Sequence, residues 1–513
     1  MGKHCGLLFI IIILLSLSYS CNTESEIINE DQSYYDEKTP CILSFSLLSK
    51  DNPEDLISDI SGDIIGDSMI VCRIPHLVDK RFFLPSISYY GDSIFINGIK
   101  MDSNCRMPFD FSKPTPITIE SKSIKKTYMV YVYGFTGLPV IWIETENRED
   151  ITSKDEYIKA HFRLVEEVTT RSSGEIIDED ILIKGRGNSS WAMPKKNYRL
   201  KFGKEVSLIN EPKDKSWVLI PNYSDKTSLR NALAFYMGYN SHIEYTPRFH
   251  FVELMLNGRY HGLYQLCEKI KVSSNRVNVG EDGYVMEIDF RAESESDAIV
   301  FRTPHVVNGI NIKEPKVEIG DVKYNYIKDY MNVVDSVLFS EKFMDPQSGW
   351  QKYLDVESFV DWYLISEISK NTDSRQTSSI YLNCTYNGKL KMGPLWDFDL
   401  AFGNCSYQFD SEGFWIKEGQ WYNRLFEDPF FVNEVKNRFY YFYNCKEEYM
   451  RYINDMATYL KYSVQENDNR WGTFYEYTWI NYDIWGCYEN EIQSLKYWLS
   501  ERFEWLKTQF DNM

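Results

Sequence analysis

Short runs in which apolar and polar residues alternate occupy the first part of the chain. The runs are CILSFSLL, DSMIVCRI, DSIFING and TYMVYVYGF, and clusters of Asp, Gly, Asn and Pro separate them. Alternation with a period of two between turn residues is typical of strands with one buried face. The pattern predicts a small immunoglobulin-like β-sandwich over residues 41–135, which we expect to be a spacer or binding module.

From about Leu138 the pattern predicts strands mixed with a helix. LPVIWIETEN, AHFRLVEE, DILIKGRGNSSW and KKNYRLKF contain strand-like runs. SWVLIPNYSDKTSLRNALAFYMGYN continues as a strand, a turn and a helix with Ser224 or Asp225 as its N-cap. Two further strands flank Asn257-Gly258, a dipeptide that favours hairpin turns. We therefore expect a five-stranded sheet with one helix, and a polar exit after Glu268 toward a second lobe.

The last part of the chain has a mainly helical pattern. Apolar residues recur there at i, i+3, i+4 and i+7, the spacing of one helix face. The segments are YNYIKDYMNVVDSVLF, VESFVDWYLISEISK, FFVNEVKNRFYYFY, EEYMRYINDMATYLKY and ENEIQSLKYWLSERFEWLKTQF. Strands first and helices later predict a chain of the α+β class.

Two acid-bearing loops interrupt the helical part. A helix is followed by Asp373, then by two strands around Asn387-Gly388, and then by Asp397 and Asp399 in PLWDFDLAFGN. Because a hairpin brings its ends together, Asp373 and Asp397 are expected to meet. On an extended backbone, Asp397 and Asp399 would both point toward one ion. The alternative is that the paired acids cap a turn or accept hydrogen bonds from backbone amides.

The order of these acids matches the lower lobe of a protein kinase. There, the acid before the hairpin engages the attacking hydroxyl, and the acid after it holds the metal on the nucleotide phosphates. Mg²⁺ needs only one or two carboxylates besides phosphate oxygens and water, which fits a sparse set of acids without histidine.

A basic strand precedes the acids. In KKNYRLKF the apolar residues share one face, while Arg199 and Lys201 share the other. The preceding turn, GRGNSS, contains Arg186 and has glycines whose backbone can approach a ligand closely. Backbone amides and these three cations could receive a polyphosphate. The alternative is a hairpin turn with a solvated basic face.

Length and charge narrow the choice of partner. The 513 residues are enough for two or three domains. The formal net charge of −19 argues against a nucleic-acid-binding surface, because phosphate contacts need clustered Lys and Arg, which occur here only locally. The sequence therefore favours a protein or small-molecule partner.

The N-terminal residues fit an export signal. MGKHCGLLFIIIILLSLSYSC has a charged start, an apolar run too short to span a bilayer comfortably, and a lipobox-like ending. This predicts a signal peptide over residues 1–21 with lipidation of Cys21; an ordinary signal peptide with an incidental cysteine is the alternative. Residues 22–40 are polar and acidic and are expected to form a flexible tether. These features predict an exported, membrane-anchored lipoprotein of a bacterial outer membrane or cell surface.

The other cysteines suggest no zinc site, because no CxxC pair or His cluster accompanies them. Cys384 precedes the second acidic loop and Cys405 follows it. A disulfide between these two is therefore a hypothesis for an oxidising compartment.

Four motifs in this order resemble the spore coat protein H (CotH) family of atypical protein kinases. They are GRGNSSWAMPKKNYRLKF, SDKTSLRNALA, FVELMLNGRYHGLYQLCEKIK and WDFDLAFGN, and the resemblance covers residues 138–510. It implies a kinase-like two-lobe fold and transfer of phosphate from ATP, with Mg²⁺ or Mn²⁺, to Ser or Thr of exported proteins. The N-terminal strands resemble sandwich modules of Bacteroidetes surface proteins.

The resemblance also implies roles for individual residues. Asp373 would engage the substrate hydroxyl, and Asp397 would hold the metal. Ser378 departs from the pattern, because a typical kinase has its second metal ligand, an asparagine, at that position; Asp399 or Asn404 would take its place. The residues implied in nucleotide binding are Arg186, Asn188, Ser189, Arg199, Lys201 and, at the hinge between lobes, Glu268.

Two other functions remain open. Aromatic segments such as WYNRLFEDPFF and RWGTFYEYTWINYDIWG could bind sugars or host ligands, although aromatics at helical spacing are more often core. The same acids could instead serve a transferase that moves AMP from a reversed nucleotide.

Overall fold

The structure is a computed structural model. It describes residues 39–56, 59–74, 79–101, 107–134, 136–165, 176–295, 297–375 and 377–513. The predicted signal peptide, Cys21 and nearly all of the tether lie outside these ranges. Within them, no helix combines the length and the apolar character that crossing a bilayer requires.

Residues 41–134 form two sheets. Their strands are β1 Cys41–Leu47, β2 Ile60–Ser61, β3 Asp63–Ile65, β4 Met69–Ile74, β5 Pro85–Tyr90, β6 Ser93–Ile96, β7 Ile99–Met101, β8 Thr115–Ser121 and β9 Ile124–Gly134. One sheet has the order β2-β1-β5 and the other β3-β4-β9-β8-β6-β7. All four predicted runs are strands. The immunoglobulin-like type stays a prediction.

The next seven strands close into a barrel. They are β10 Val140–Thr145, β11 Ile158–Val165, β12 Ile176–Arg186, β13 Asn197–Val206, β14 Asp214–Ile220, β15 Phe249–Leu256 and β16 Arg259–Glu268. Their order is β10-β11-β12-β13-β14-β16-β15. The prediction of a five-stranded sheet was wrong, because β10 pairs in parallel with β15 and thereby closes the ring.

Two local predictions in the barrel differ in outcome. Asn257 and Gly258 both have positive φ and join β15 to β16, as predicted. Helix α2, Arg230–Tyr239, instead begins without a side-chain N-cap. Asp225 accepts a hydrogen bond from the Arg230 N–H at 2.8 Å from outside the helix. The Ser224 hydroxyl donates elsewhere, to Asp399.

The C-terminal part combines a second sheet with helices. Its strands are β17 Tyr284–Asp289, β18 Val300–Thr303, β19 Val306–Glu314, β20 Ile380–Cys384 and β21 Lys391–Met392, in the order β18-β19-β17-β20-β21. The other helices are α1 Ser189–Ala192, α3 Val322–Leu338, α4 Val356–Ile368, α5 Gln420–Leu425, α6 Pro429–Asn444, α7 Lys446–Trp471 and α8 Tyr488–Asp511. All five predicted helices are confirmed, and the α+β class with them.

The predicted disulfide between Cys384 and Cys405 is not formed, and both are free, buried thiols. The reason is their surroundings. Cys384 lies opposite Tyr284 in the pairing of β20 with β17. Cys405 lies elsewhere, in an isolated backbone β-bridge opposite Asn481.

Candidate active site

A cleft of about 1240 Å³ separates the outer face of the barrel from the second sheet. Strands β12, β13 and β14 line one wall, together with the loop 221–224 after β14. Strands β17 and β19 and the two acid-bearing loops line the other. The alternation predicted for β13 explains the basic wall, because Tyr198, Leu200 and Phe202 are buried inside the barrel while the residues between them face the cleft.

Asp397 lies in the loop after β21 in a conformation that the sequence did not predict. Its φ is +66°, in the left-handed region, so the backbone is not extended there. Such a conformation is costly for a non-glycine residue and persists only where neighbours hold it. Here the Asn371 amide donates to the Asp397 carbonyl oxygen at 3.2 Å, and the Ser379 hydroxyl donates to Asp397 Oδ2 at 2.9 Å. Phe398 is buried, and its N–H donates to Asn231 Oδ1 at 2.8 Å.

Asp399 lies beside Asp397 at the bottom of the cleft. Its carboxylate accepts a hydrogen bond from the Ser224 hydroxyl. Burial, and next the negative charge of Asp397, raise the pKa of Asp399 well above its ordinary value. Two adjacent carboxylates repel one another when both are ionised. A shared proton or a bound cation removes this repulsion.

Asp373 completes the acidic end of the cleft. It lies in a short helical turn, Thr372–Ser374, that the Asn371 side chain caps. Burial and the charge of Asp397 raise the pKa of Asp373 to about 7. Arg291 opposes this shift and Asp289 adds to it. A carboxyl group with this pKa can accept a proton near neutral pH.

The structure places the predicted nucleotide-binding residues along the cleft, with one exception. The residues that line it are Arg186, Asn188, Ser189, Arg199 and Lys201. The Arg186 guanidinium lies 5.3 Å from the Trp396 ring, next to the acidic loop.

The glycines of the turn serve the packing of the turn itself. A Cβ on Gly185 would lie 2.2 Å from the Trp191 ring, so Gly185 makes room for that indole. Gly187 has a φ of +91°, and a Cβ there would meet the Ser190 hydroxyl. The predicted close approach of a ligand is therefore not the reason for Gly185.

Glu268 is the exception, because the structure does not bring it to the cleft. Its carboxylate is buried and accepts hydrogen bonds from Arg248 Nη2 at 2.7 Å and from the Tyr245 hydroxyl at 3.0 Å. These side chains take up the hydrogen-bonding positions of the Glu268 carboxylate. The following residue, Lys269, lines the cleft instead.

Among the residues that line the cleft, sequence reasoning missed Asp289, Arg291 and Lys269. Asp289 ends the buried strand β17 and accepts from the Ser378 hydroxyl at 3.2 Å. Arg291 Nη2 donates to the same hydroxyl at 3.1 Å. The only signal in the sequence was a carboxylate at the end of an apolar strand, YVMEID, and nothing there linked it to Asp373.

Asn404 holds the acidic loop and does not line the cleft. Its side-chain amide donates to the Asp399 carbonyl oxygen at 2.7 Å and to the Ser224 carbonyl oxygen at 2.9 Å. Of the two residues considered as the second metal ligand, the geometry leaves Asp399.

The acidic end fits Mg²⁺ through its chemistry. Among the described residues no three His, Cys, Asp or Glu side chains are arranged to hold a metal ion. Mg²⁺ does not need such a cage, because phosphate oxygens and water complete its coordination. A cation beside Asp397 and Asp399 would also relieve the repulsion between two adjacent carboxylates. The donor set therefore suits a metal that arrives with a phosphate-bearing ligand.

Residues 183–506 match the family described as CotH kinase protein. Because the match covers more than half of the chain, the chain belongs to the CotH kinase family, and its function is related to that of these kinases. No curated protein matches the chain. A solved structure from Bacteroides thetaiotaomicron, described as "a putative glycoside hydrolase", shares 14% identity and covers 59% of this chain and 89% of its own. Its TM-score is 0.15, which is too low to show a shared fold.

Proposed function

We propose that the protein transfers the γ-phosphate of ATP to a serine or threonine of an exported protein. The observation that carries this proposal is the meeting of Asp373 with the Asp397–Asp399 pair at one end of a cleft whose opposite wall is basic. The barrel with α2 would be the upper lobe of an atypical kinase-like fold. The second sheet and the later helices would be the lower lobe.

In this proposal Asp373 orients the acceptor hydroxyl and takes its proton. The hydroxyl oxygen then bonds to the γ-phosphorus while the bond from that phosphorus to the β-phosphate bridging oxygen breaks, and ADP leaves. Asp397 and Asp399 would hold Mg²⁺ or Mn²⁺. When bound, the metal neutralises charge on the phosphates. Arg186, Asn188 and Ser189 would cover the nucleotide from the turn between β12 and β13.

The proposal places the protein outside the cytoplasm. Cys21 would carry the lipid anchor, residues 22–40 would be the tether, and residues 41–135 would be an immunoglobulin-like spacer. Growth with a labelled fatty acid tests the anchor: label is expected on the wild-type protein and absent from Cys21→Ala. Equal labelling of both proteins would contradict it.

The decisive experiment incubates the mature chain, residues 22–513, with γ-labelled and α-labelled ATP, Mg²⁺ or Mn²⁺, and protein acceptors. We expect label from the γ-position on Ser or Thr, located by mass spectrometry. Label from the α-position only would show AMP transfer instead. Absence of both, with the protein folded and both metals tried, would contradict the assignment as a transferase.

A second candidate function, ligand binding without catalysis, is favoured by one observation. Tyr475 and Trp479 are 76% and 66% exposed, and Trp479 lies at the cleft. By contrast, Trp421 and Phe431 of the other aromatic segment are buried in the core. The two functions separate in Asp397→Asn, because nucleotide-independent binding of a partner survives that change and phosphotransfer does not.

A further inference from the structure

Two cations in the wall of the cleft have no anionic partner among the described residues. Lys269, directly after β16, is half-buried, and its Nζ donates to the adjacent Ile270 carbonyl oxygen at 3.1 Å. Arg199, in β13, has a buried Nε without a hydrogen-bond partner. In the part of the chain that the structure describes, no carboxylate lies within 4.0 Å of either charge. Both side chains face the cleft.

The two charges act on one another. Burial, and next the positive charge of Arg199, lower the pKa of Lys269 to about 7. Lys313 and Lys271 lower it further, and Glu314 raises it. Like charges held together in a partly dry wall destabilise a fold unless an anion joins them.

The surrounding ionisable groups are already engaged. Lys313 Nζ lies 3.0 Å from both Glu287 and Glu295. Lys271 lies 3.3 Å from Asp214. The Glu314 carboxylate accepts from the Val272 N–H at 2.8 Å. Lys184, opposite Arg199 in the pairing of β12 with β13, adds a further positive charge. Of the charges that act on Lys269, Arg199, Lys313 and Lys271 are positive and Glu314 is negative, so the balance there is positive.

Lys195 is a buried lysine with a structural role, and it differs from Lys269 in its hydrogen-bond partners. Burial lowers its pKa to about 7, as for Lys269. Its Nζ, however, donates to the Pro221 carbonyl oxygen at 2.8 Å, to Asn467 Oδ1 at 2.8 Å and to the Leu263 carbonyl oxygen. Three acceptors satisfy all three donors of an ammonium group. Lys269 has two donors left, and they lie beside the cleft.

Strand register places this pair away from the metal acids. Arg186 is paired with Asn197 and lies near Trp396, at the acidic end. Arg199 lies on β13 two residues beyond Asn197, which corresponds to about 7 Å at roughly 3.3 Å per residue. Arg199 therefore lies at a second position in the same cleft, and Lys269 is close enough to Arg199 for their charges to interact.

We propose that Arg199 and Lys269 form an anion subsite that binds a nucleotide phosphate other than the one held at Asp397 and Asp399. The proposal rests on the proposed function, because it takes the ligand to be a nucleotide. It assigns a binding role to Lys269, which lies in the third of the four family-like motifs but received no role from the sequence. It also predicts that an anion at this subsite drives protonation of Lys269.

Binding of an anion at this subsite should depend on pH. Above about pH 7, Lys269 is mostly neutral without ligand, so binding an anion takes up a proton there. Affinity should therefore fall as pH rises from 7 to 8.5. At pH 6 the ammonium group is already formed, and no proton uptake is expected from it.

The test is calorimetric binding of Mg-ATP, tripolyphosphate and adenosine to the mature chain at pH 6, 7 and 8.5, in buffers of different ionisation enthalpy. Lys269→Met and Arg199→Met should each weaken binding of ATP and tripolyphosphate about 10–100-fold and leave adenosine unchanged. Lys269→Arg should keep affinity but lose the proton uptake. Lys204→Met is the matched control, since Lys204 is exposed on the same strand, pairs with Glu179 and does not line the cleft. Thermal melts verify that each variant is folded.

The outcomes separate this inference from the proposed function. Unchanged ATP affinity and proton uptake in Lys269→Met, in a protein that transfers phosphate, would overturn the subsite alone. Binding of tripolyphosphate that depends on Lys269, in a protein that transfers nothing from ATP, would support the subsite and contradict the proposed function. Equal losses in Lys269→Met and Lys204→Met would show only a diffuse effect of charge, and would overturn the subsite.

Discussion

Asp373 and Asp397 occupy one end of the cleft but have different predicted roles, and this difference can be tested. Asp397→Asn keeps the shape and removes a charge from the metal, so Mg-ATP should bind about 10–100-fold more weakly. Asp373→Asn should bind Mg-ATP normally and turn over about 10²–10⁴-fold more slowly, because a group that works on the hydroxyl acts in the transition state. Nucleotide titration and single-turnover rates measure the two effects. Wild-type binding and transfer in both variants would mean that the carboxylates are structural.

The pKa of Asp373 predicts the pH dependence of the rate. Since the base must be ionised and its pKa is raised to about 7, kcat/KM should rise about tenfold per pH unit below 7 and level off above it. Asp289→Asn removes a charge that raises this pKa, so the profile should move to lower pH. Arg291→Gln removes a charge that lowers it, so the profile should move to higher pH. The same profile in both variants would exclude Asp373 as the titrating group.

Asp399 is expected to reduce the stability of the ligand-free protein. Its pKa is raised in the folded state, so above its ordinary pKa of about 4 the unfolded chain releases a proton that the folded protein retains, and the free energy of unfolding falls as pH increases. Asp399→Asn should therefore melt higher than wild type at pH 8 and nearly equally at pH 4. Metal-dependent binding of ATP should weaken in the same variant.

The control for Asp399 is a buried aspartate of opposite character. Asp225 forms an ion pair with Arg230 at 2.6 Å, and both side chains are buried. Asp225→Asn leaves the guanidinium without its charge partner and should destabilise the protein by about 3–5 kcal/mol. If both variants lower the melting temperature, Asp399 contributes to the fold and the expectation is wrong.

The sequence predicted the acids better than the cations. Asp373 and Asp397 flank a hairpin, and a hairpin joins its own ends whatever surrounds it. Lys269 and Arg291 line the cleft only because the barrel and the second sheet pack face to face. No local sequence pattern specifies that packing. The left-handed backbone at Asp397 was also unpredictable, because the Asn371 and Ser379 side chains that stabilise it come from another loop.

The turn between β12 and β13 depends on one glycine for its packing. In Gly185→Ala the new methyl group would overlap the Trp191 ring, so the indole must move and the turn with it. We expect a loss of about 1–3 kcal/mol in stability and several-fold weaker binding of Mg-ATP. Tryptophan fluorescence and nucleotide titration measure both. Gly203→Ala on β13 is the control, because a methyl group there would have no atom within 4 Å; equal behaviour of the two variants would rule out the packing argument.

Helices and hairpins were predictable where their signal is local. Each amphipathic helix carries its own period, and Asn257-Gly258 specifies its own turn. Closure of the barrel was not predictable, because the parallel pairing of Val140 with Glu253 joins segments far apart in the sequence. Such contacts depend on both segments being placed by the rest of the chain.

The N-terminal sheets and the barrel share a hydrophobic core. Val140, Trp142 and Met255 of the barrel belong to the same cluster of buried residues as the strands of residues 41–134. The Ser61 N–H donates to the Gly258 carbonyl oxygen at 3.0 Å. Arg73 forms an ion pair with a glutamate of α7 and packs over a barrel tyrosine. The sequence predicted a separable N-terminal module, but it did not predict this contact.

A chain that begins at Gly137 tests what that contact contributes. The rest of the protein keeps its own cores, so we expect a single cooperative melt, as separate domains give. Because Trp142 and its neighbours become exposed, the melting temperature should be lower than that of the full chain, and the Trp142 fluorescence should shift to longer wavelength.

In the full chain, Arg73→Ala should lower the melting temperature by part of the amount that truncation does. Arg81→Ala, which breaks an exposed ion pair, should leave the melting temperature unchanged. Phosphotransfer should persist in the shortened chain, since the cleft lies outside residues 41–134. Aggregation on truncation would show that the N-terminal sheets are part of one folding unit.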